Sequence, residues 1–273
     1  MTTKKKIIIG ICIAVAVCAA ALLVYLLLGK NGKGEAVLGG ILSNAQNKEI
    51  TLDDLSFKMV KVEHGSFVTD GGNSASGIQK QITLSHDYYI GETEVTQALW
   101  MKVMGSNPSH IKGDNLPVER VSWNDCQEFL KRLNEKTGKQ FRLPTEAEWE
   151  FAARGGNQSK KTIYAGSNIL DSVGWYYNNS KDVTHPVATR QPNELGIYDM
   201  SGNVYEWCND TYGALPDAAQ TDPKGAAEGP DKVVRGGAWS YDADYCSVSN
   251  RVVHAPADSR SRYGLRLCLS KDE

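Results

Sequence analysis

Cysteine is sparse in this chain, six in 273 residues, and no two of them form a Cys-x-x-Cys pair, which excludes a zinc ribbon and a thioredoxin-like redox site. None of the five histidines belongs to a His-Glu-x-x-His run, so the metalloprotease type of metal chemistry is not indicated. A Gly-x-Ser-x-Gly elbow is also missing, and with it the turn that exposes a serine nucleophile. No excess of positive charge exists either: the formal net charge is -2, and after the first few positions the basic residues are scattered. Nucleic acid is therefore discounted as a partner. No tandem repeat is visible.

One further absence is local. Between Ser240 and Tyr263 there is no Lys, Glu, Gln, Met or Trp, although Lys and Glu are among the commonest residues of soluble proteins. These five types share a property. An Asn codon of the form AAY cannot reach them by changing only its adenines, whereas it reaches the Tyr, Asp, Ser, Val, His, Ala and Arg that fill the window. The window is framed by Arg235-Gly236-Gly237 and Gly264-Leu265-Arg266, and no hydrophobic period within it specifies helix or strand.

What is present begins with a membrane signal. Lys4, Lys5 and Lys6 precede an uncharged apolar run at residues 7–28, followed by Lys30 and Lys33. A spanning helix needs about 20 apolar residues, and positive charge ahead of it keeps that end in the cytoplasm. The reading is a cytoplasmic n-region at 1–6, an uncleaved transmembrane signal anchor at 7–28 and an extracytoplasmic domain facing the periplasm or cell surface. Cys18 offers a second route, as a lipidated first residue of a lipoprotein after cleavage. Residues 29–50 read as a flexible linker.

The folded domain is expected over residues 51–273. Residues 59–68 and 81–90 show β-prone alternation on either side of a Gly-rich turn. Three helices have legible ends: Thr96 to Met104 with Gly105 as stop, Ser122 with Asp125 opening a helix to Gly138, and a Thr145-x-x-Glu148 capping box. Beyond Gly156 the composition predicts short strands and long ordered loops. Cys126, Cys208, Cys246 and Cys268 either pack as small hydrophobes or pair as disulfides.

The blocks GETEVTQALWMKVMG (91–105), LPVERVSWNDCQEFLKRLN (116–134), RLPTEAEWEFAARGG (142–156), PNELGIYDMSGNVYEW (192–207) and the final frame at 235–266, in this order, resemble the formylglycine-generating enzyme (sulfatase-modifying factor) family. The resemblance implies an α+β fold, irregular and C-type-lectin-like. It also implies a calcium site at Asp199, Gly202, Val204 and Glu206, with Gly202 and Val204 giving carbonyls; two carboxylates around a Gly turn supply the hard oxygen set that calcium prefers. Taken without the family, capping or pairing with arginine is the stronger reading of Asp199 and Glu206.

The family's oxidase binds copper through two cysteines after Arg-Gly-Gly. The second matches Cys246 and the first falls on Tyr241. A phenol cannot complete a thiolate pair for Cu(I), so copper and a catalytic role are not expected. The filling instead resembles the variable proteins of diversity-generating retroelements, in which adenine-directed mutagenesis rewrites the end of such a domain. That resemblance implies a displayed ligand-binding surface of Ser240, Tyr241, Asp242, Asp244, Tyr245, Val252, Val253, His254, Ala255, Asp258, Ser261, Arg262 and Tyr263. Trp239, Cys246, Asn250, Arg251, Pro256, Arg260 and Gly264 would be scaffold. Tyr gives stiff amphipathic contact at low entropy cost, and Ser and Asp adapt by hydrogen bonding. The expectation is a membrane-anchored binding protein whose partner is a protein or glycan; the alternative is a formylglycine-generating oxidase acting on sulfatases, or a degenerate homologue of one.

Overall fold

The computed structural model describes residues 46–69, 79–215 and 218–271. The apolar run at 7–28 and Cys18 lie outside them. Among the described residues, no helix is long and apolar enough to cross a membrane.

Local signals account for the helices. α1 (Gln97–Met104) is capped by the Thr96 hydroxyl accepting from Leu99 N–H, and it stops at Gly105, whose φ of 77° only glycine adopts without cost. α2 (Trp123–Thr137) opens with the Ser122/Asp125 capping box. α3 (Glu146–Ala153) opens with the Thr145/Glu148 box. The apolar faces then meet: Phe129 and Leu133 of α2 are fully buried, and the Phe129 ring stacks on Trp100 of α1 at 4.8 Å. A short α4 (Leu170–Val173) follows, a single turn with no side-chain cap for a reader of the sequence to find.

The strands are β1 (Lys48–Leu52), β2 (Leu55–Val62), β3 (Gly65–Thr69), β4 (Lys80–Leu84), β5 (Tyr88–Gly91), β6 (Tyr205–Thr211), β7 (Gln220–Thr221), β8 (Lys232–Arg235), β9 (Val252–His254), β10 (Tyr263–Gly264) and β11 (Cys268–Ser270). They form sheets in the orders β1-β2-β5-β11, β10-β6-β8-β9 and β3-β4-β7. β1 corrects one expectation. Residues 48–50, assigned to the linker, are strand, because Ile50 and Leu52 alternate into the core while β1 pairs antiparallel with β2. The run expected as one strand at 59–68 divides between β2 and β3, which enter different sheets.

The second sheet positions the site. β6 is central to it, with β8 antiparallel on one side and β10 parallel on the other. The two ends of the 235–266 segment are thus stitched to one buried strand, and the intervening chain must run over the surface between them.

Candidate binding surface

The frame is held by two buried guanidinium groups. Arg235, fully buried at the end of β8, donates from Nη1 to Ser249 O (2.9 Å) and Asn250 O (2.7 Å) and from Nη2 to Val248 O (2.8 Å) and Glu150 Oε2 (2.7 Å). One side chain thereby fixes three successive carbonyls in the middle of the 240–263 window. Arg266 donates to both Glu206 oxygens, at 2.7–3.1 Å, and to Gly91 O and Tyr198 O. Both Arg266 and Glu206 are fully buried. Gly237 must be glycine: its φ is 78°, and a Cβ there would stand 2.5 Å from Cys246 Sγ.

Between these anchors the filling turns outward. Asp242, Asp244, Tyr245 and Ala255 are exposed, while Ser240, Tyr241, Val252, Val253, His254, Asp258, Ser261 and Arg262 are half-buried. The Tyr241 ring meets Tyr205 edge-on at 5.2 Å and lies 5.1 Å from Tyr245. The Arg262 guanidinium sits over it, 5.1 Å from its centroid. A buried tyrosine thus supports a half-buried one, which supports an exposed one, and the aromatic surface is held stiffly from below.

Two assignments are corrected. Tyr263, expected on the surface, is fully buried, because as part of β10 beside β6 its ring packs at 5.5 Å against Trp207; its hydroxyl lies 2.6 Å from His254 Nε2. Arg260, expected in the scaffold, is exposed. One surface aromatic escaped the sequence reading. Tyr177 is 57% exposed and its N–H donates to Tyr241 O at 3.0 Å. Nothing in its local sequence marks it, since its place beside the window is purely tertiary.

Cys246 ends the 3₁₀ turn Ala243–Cys246 and packs with Leu170, Val173 and Tyr176. Burial pushes its thiol up to about 12, so the thiolate needed for copper or nucleophilic chemistry is disfavoured at neutral pH. Cys126, Cys208, Cys246 and Cys268 are all free and buried, which resolves the choice between packing and disulfides in favour of packing.

The expected calcium ligands lie beneath this surface. Asp199 adopts a φ of 59°; its Oδ2 accepts from Ala188 N–H at 2.7 Å, and its buried Oδ1 has no hydrogen-bond partner. At Gly202 a Cβ would collide with Trp175 O. Val204 N–H and the Asn203 amide both donate to Glu94, a third buried carboxylate. Glu206 accepts from Trp149 Nε1–H (2.6 Å) as well as from Arg266.

Three carboxylates therefore face one guanidinium in the interior. Burial pushes Asp199 up to about 6 and Glu94 well above its usual range, with Asp199 and Glu206 adding to the effect at Glu94. The surplus negative charge and the orphaned Asp199 oxygen fit a hard divalent cation. Glu206 is already fully used, each oxygen accepting two hydrogen bonds from Arg266 and Trp149, so it would have to give up one of them to a cation. No cluster of three or more His, Cys, Asp or Glu side chains able to hold a metal ion occurs among the described residues, so calcium here would depend on backbone carbonyls for the rest of its ligands.

A sulfatase-modifying factor enzyme 1-like domain model matches residues 47–271. Similar relatives include a chaperone protein LppX of Paenibacillus barcinonensis, 37% identical over 63% of this chain and 77% of that protein. A formylglycine-generating enzyme of Streptomyces coelicolor is 33% identical over 65% of this chain and 60% of the enzyme, so the match leaves part of that enzyme unaccounted for. Among solved structures, Treponema denticola variable protein 1 superposes with a TM-score of 0.76 and 33% identity, covering 82% of this chain and 99% of the other.

Proposed function

The chain belongs to the sulfatase-modifying factor enzyme 1-like domain family, and on that premise we propose that it is a binding protein rather than an oxidase, recognising a protein or glycan partner through the surface that spans Ser240 to Arg262. One observation carries the proposal. Where the family's copper chemistry requires a first thiolate, this chain has Tyr241, whose ring is built into an aromatic stack from Tyr205 out to Tyr245, while the remaining Cys246 thiol is buried. The same positions that fail as a metal site succeed as a stiff, amphipathic contact surface with adaptable Asp and Ser around it. The likeness to a variable protein that is matched over 99% of its chain supports this reading.

The remaining parts follow from the sequence. The basic and apolar segment at 1–28 holds the domain at the membrane on the extracytoplasmic side, through an uncleaved helix or a lipidated Cys18; mass spectrometry of the mature amino terminus distinguishes the two. Calcium, held by Asp199, Gly202, Val204 and Glu206, neutralises surplus carboxylate charge under the binding surface. Calorimetric titration of calcium into metal-stripped protein and into Glu206→Ala tests this, and identical heats would remove calcium from the proposal.

The binding-only reading is tested with a copper-loaded assay on a cysteine-containing sulfatase peptide. The expected result is no aldehyde. Aldehyde formation abolished by Cys246→Ala would overturn the proposal and establish an oxidase. The origin of the surface is tested on DNA: a nearby non-coding copy of the segment carrying AAY codons at the displayed positions, beside a reverse transcriptase, is the expected arrangement, and codons that adenine changes cannot produce would exclude it.

A further inference from the structure

A separate cavity of about 140 Å³ opens between β3, β4, the first turn of α3 and the connection at residues 212–231. Phe67, Ile82, Leu215 and Pro223 give it apolar walls, and Asp210 and Gln220 stand at its polar side. The connection between β6 and β8 carries β7 within it. Two of its described parts are held in place: Gln220–Thr221 pairs in parallel with β4, and Ala226 N–H donates to Thr211 O at 3.0 Å.

The polar groups of this cavity are unevenly matched. Both Glu146 oxygens are held by Arg251, at 2.6 and 2.7 Å, and Arg251 Nη1 donates to Gly213 O at 3.2 Å. Glu150 is held by Arg235, Arg154 and Thr69. Asp210, 2% exposed, receives only the backbone N–H of Glu146, at 3.0 Å, among the described residues. The ammonium of Lys232 is directed instead to Asn209 O and Thr211 Oγ1. Gln220 Oε1 is buried without a donor. Among the described residues, a carboxylate with no direct ion pair, only the more distant pull of Arg251 and Lys232, and a carbonyl oxygen without a donor therefore line a mainly apolar space, an arrangement that costs free energy until something supplies both.

We propose that this cavity is a second binding site, for a small primary amine with an apolar body. An ammonium brings one positive charge and three donors, which matches Asp210 and Gln220 together. The walls take the hydrocarbon: an apolar cavity of roughly 150 Å³ is known to admit benzene, so a single ring or a short alkyl chain fits. Of the 240–263 window only Arg251, one of its scaffold positions, lines the cavity, so the site uses none of the displayed residues.

The test is calorimetric titration of the full chain at pH 8 with benzylamine and n-pentylamine, and with benzyl alcohol and toluene as neutral controls. Amines should bind and the neutral controls at least tenfold more weakly, the factor set by loss of a charge-assisted hydrogen bond. Asp210→Asn keeps an acceptor for Glu146 N–H and should weaken amine binding at least tenfold while the circular dichroism spectrum is unchanged. Ala226→Leu, which narrows the cavity without altering charge, should weaken it too. Failure of either amine to bind at millimolar concentration, or equal binding of amine and alcohol in both the parent and Asp210→Asn, overturns the proposal.

Discussion

Replacing Asp210 with Asn should stabilise the fold, by an amount set by pH. Burial, with Glu146 adding a like charge, pushes the Asp210 carboxyl from an ordinary value of 3.8 up to about 7 in the native state, against the opposing help of the Glu146 N–H. The sign follows from linkage. A carboxyl with a raised native pKa binds its proton more tightly when folded, so it costs nothing below pH 3.8, costs more as pH rises between the two values, and costs a constant amount above 7. Three pKa units correspond to about 4 kcal/mol. Asn is neutral in both states and carries no such cost, so the variant should be more stable by about 4 kcal/mol at pH 8, about 2 kcal/mol at pH 5.5 and nearly nothing at pH 4. Urea unfolding followed by tryptophan fluorescence across that range measures it, with an unchanged m-value showing that the denatured state is not responsible. A variant equally stable or less stable than the parent at pH 8, or a gain that does not shrink towards pH 4, would refute the reasoning.

In metal-stripped protein Arg266→Leu leaves Glu94, Asp199 and Glu206 buried without a cation and should cost about 3–5 kcal/mol at pH 7; because Asp199 and Glu94 carry raised pKa values, the loss should be smaller at pH 5, as chemical denaturation will show. Gly237→Ala forces a Cβ to 2.5 Å from Cys246 Sγ at a φ of 78° and should cost about 1–3 kcal/mol, partly recovered by adding Cys246→Ala. Tyr245→Ala should leave stability within about 0.5 kcal/mol of the parent, whereas Tyr263→Ala should cost about 3–5 kcal/mol. If both tyrosines prove equally dispensable in thermal unfolding, the division between displayed and buried positions is wrong.

The sequence by itself determined the elements whose signals are local. Thr96, Ser122 and Thr145 cap helices because a side-chain oxygen satisfies orphan N–H groups within one turn, and Gly105 ends one because only glycine accepts its backbone angle cheaply. The frame was legible as Arg235-Gly236-Gly237 at one end and Gly264-Leu265-Arg266 at the other, and the missing Lys, Glu, Gln, Met and Trp marked the window between. Tertiary structure decided what no neighbour along the chain can report. β1 was missed because two alternating apolar residues, Ile50 and Leu52, reveal a strand only when β2 lies beside them. Tyr263 resembled its exposed neighbours until parallel pairing with β6 turned it into the core, and Tyr177 joined the surface from a distant loop. The cavity at Asp210 is the extreme case: its walls come from residues between Phe67 and Arg251, and the imbalance of donors and acceptors there exists only once folding has excluded water from all of them together.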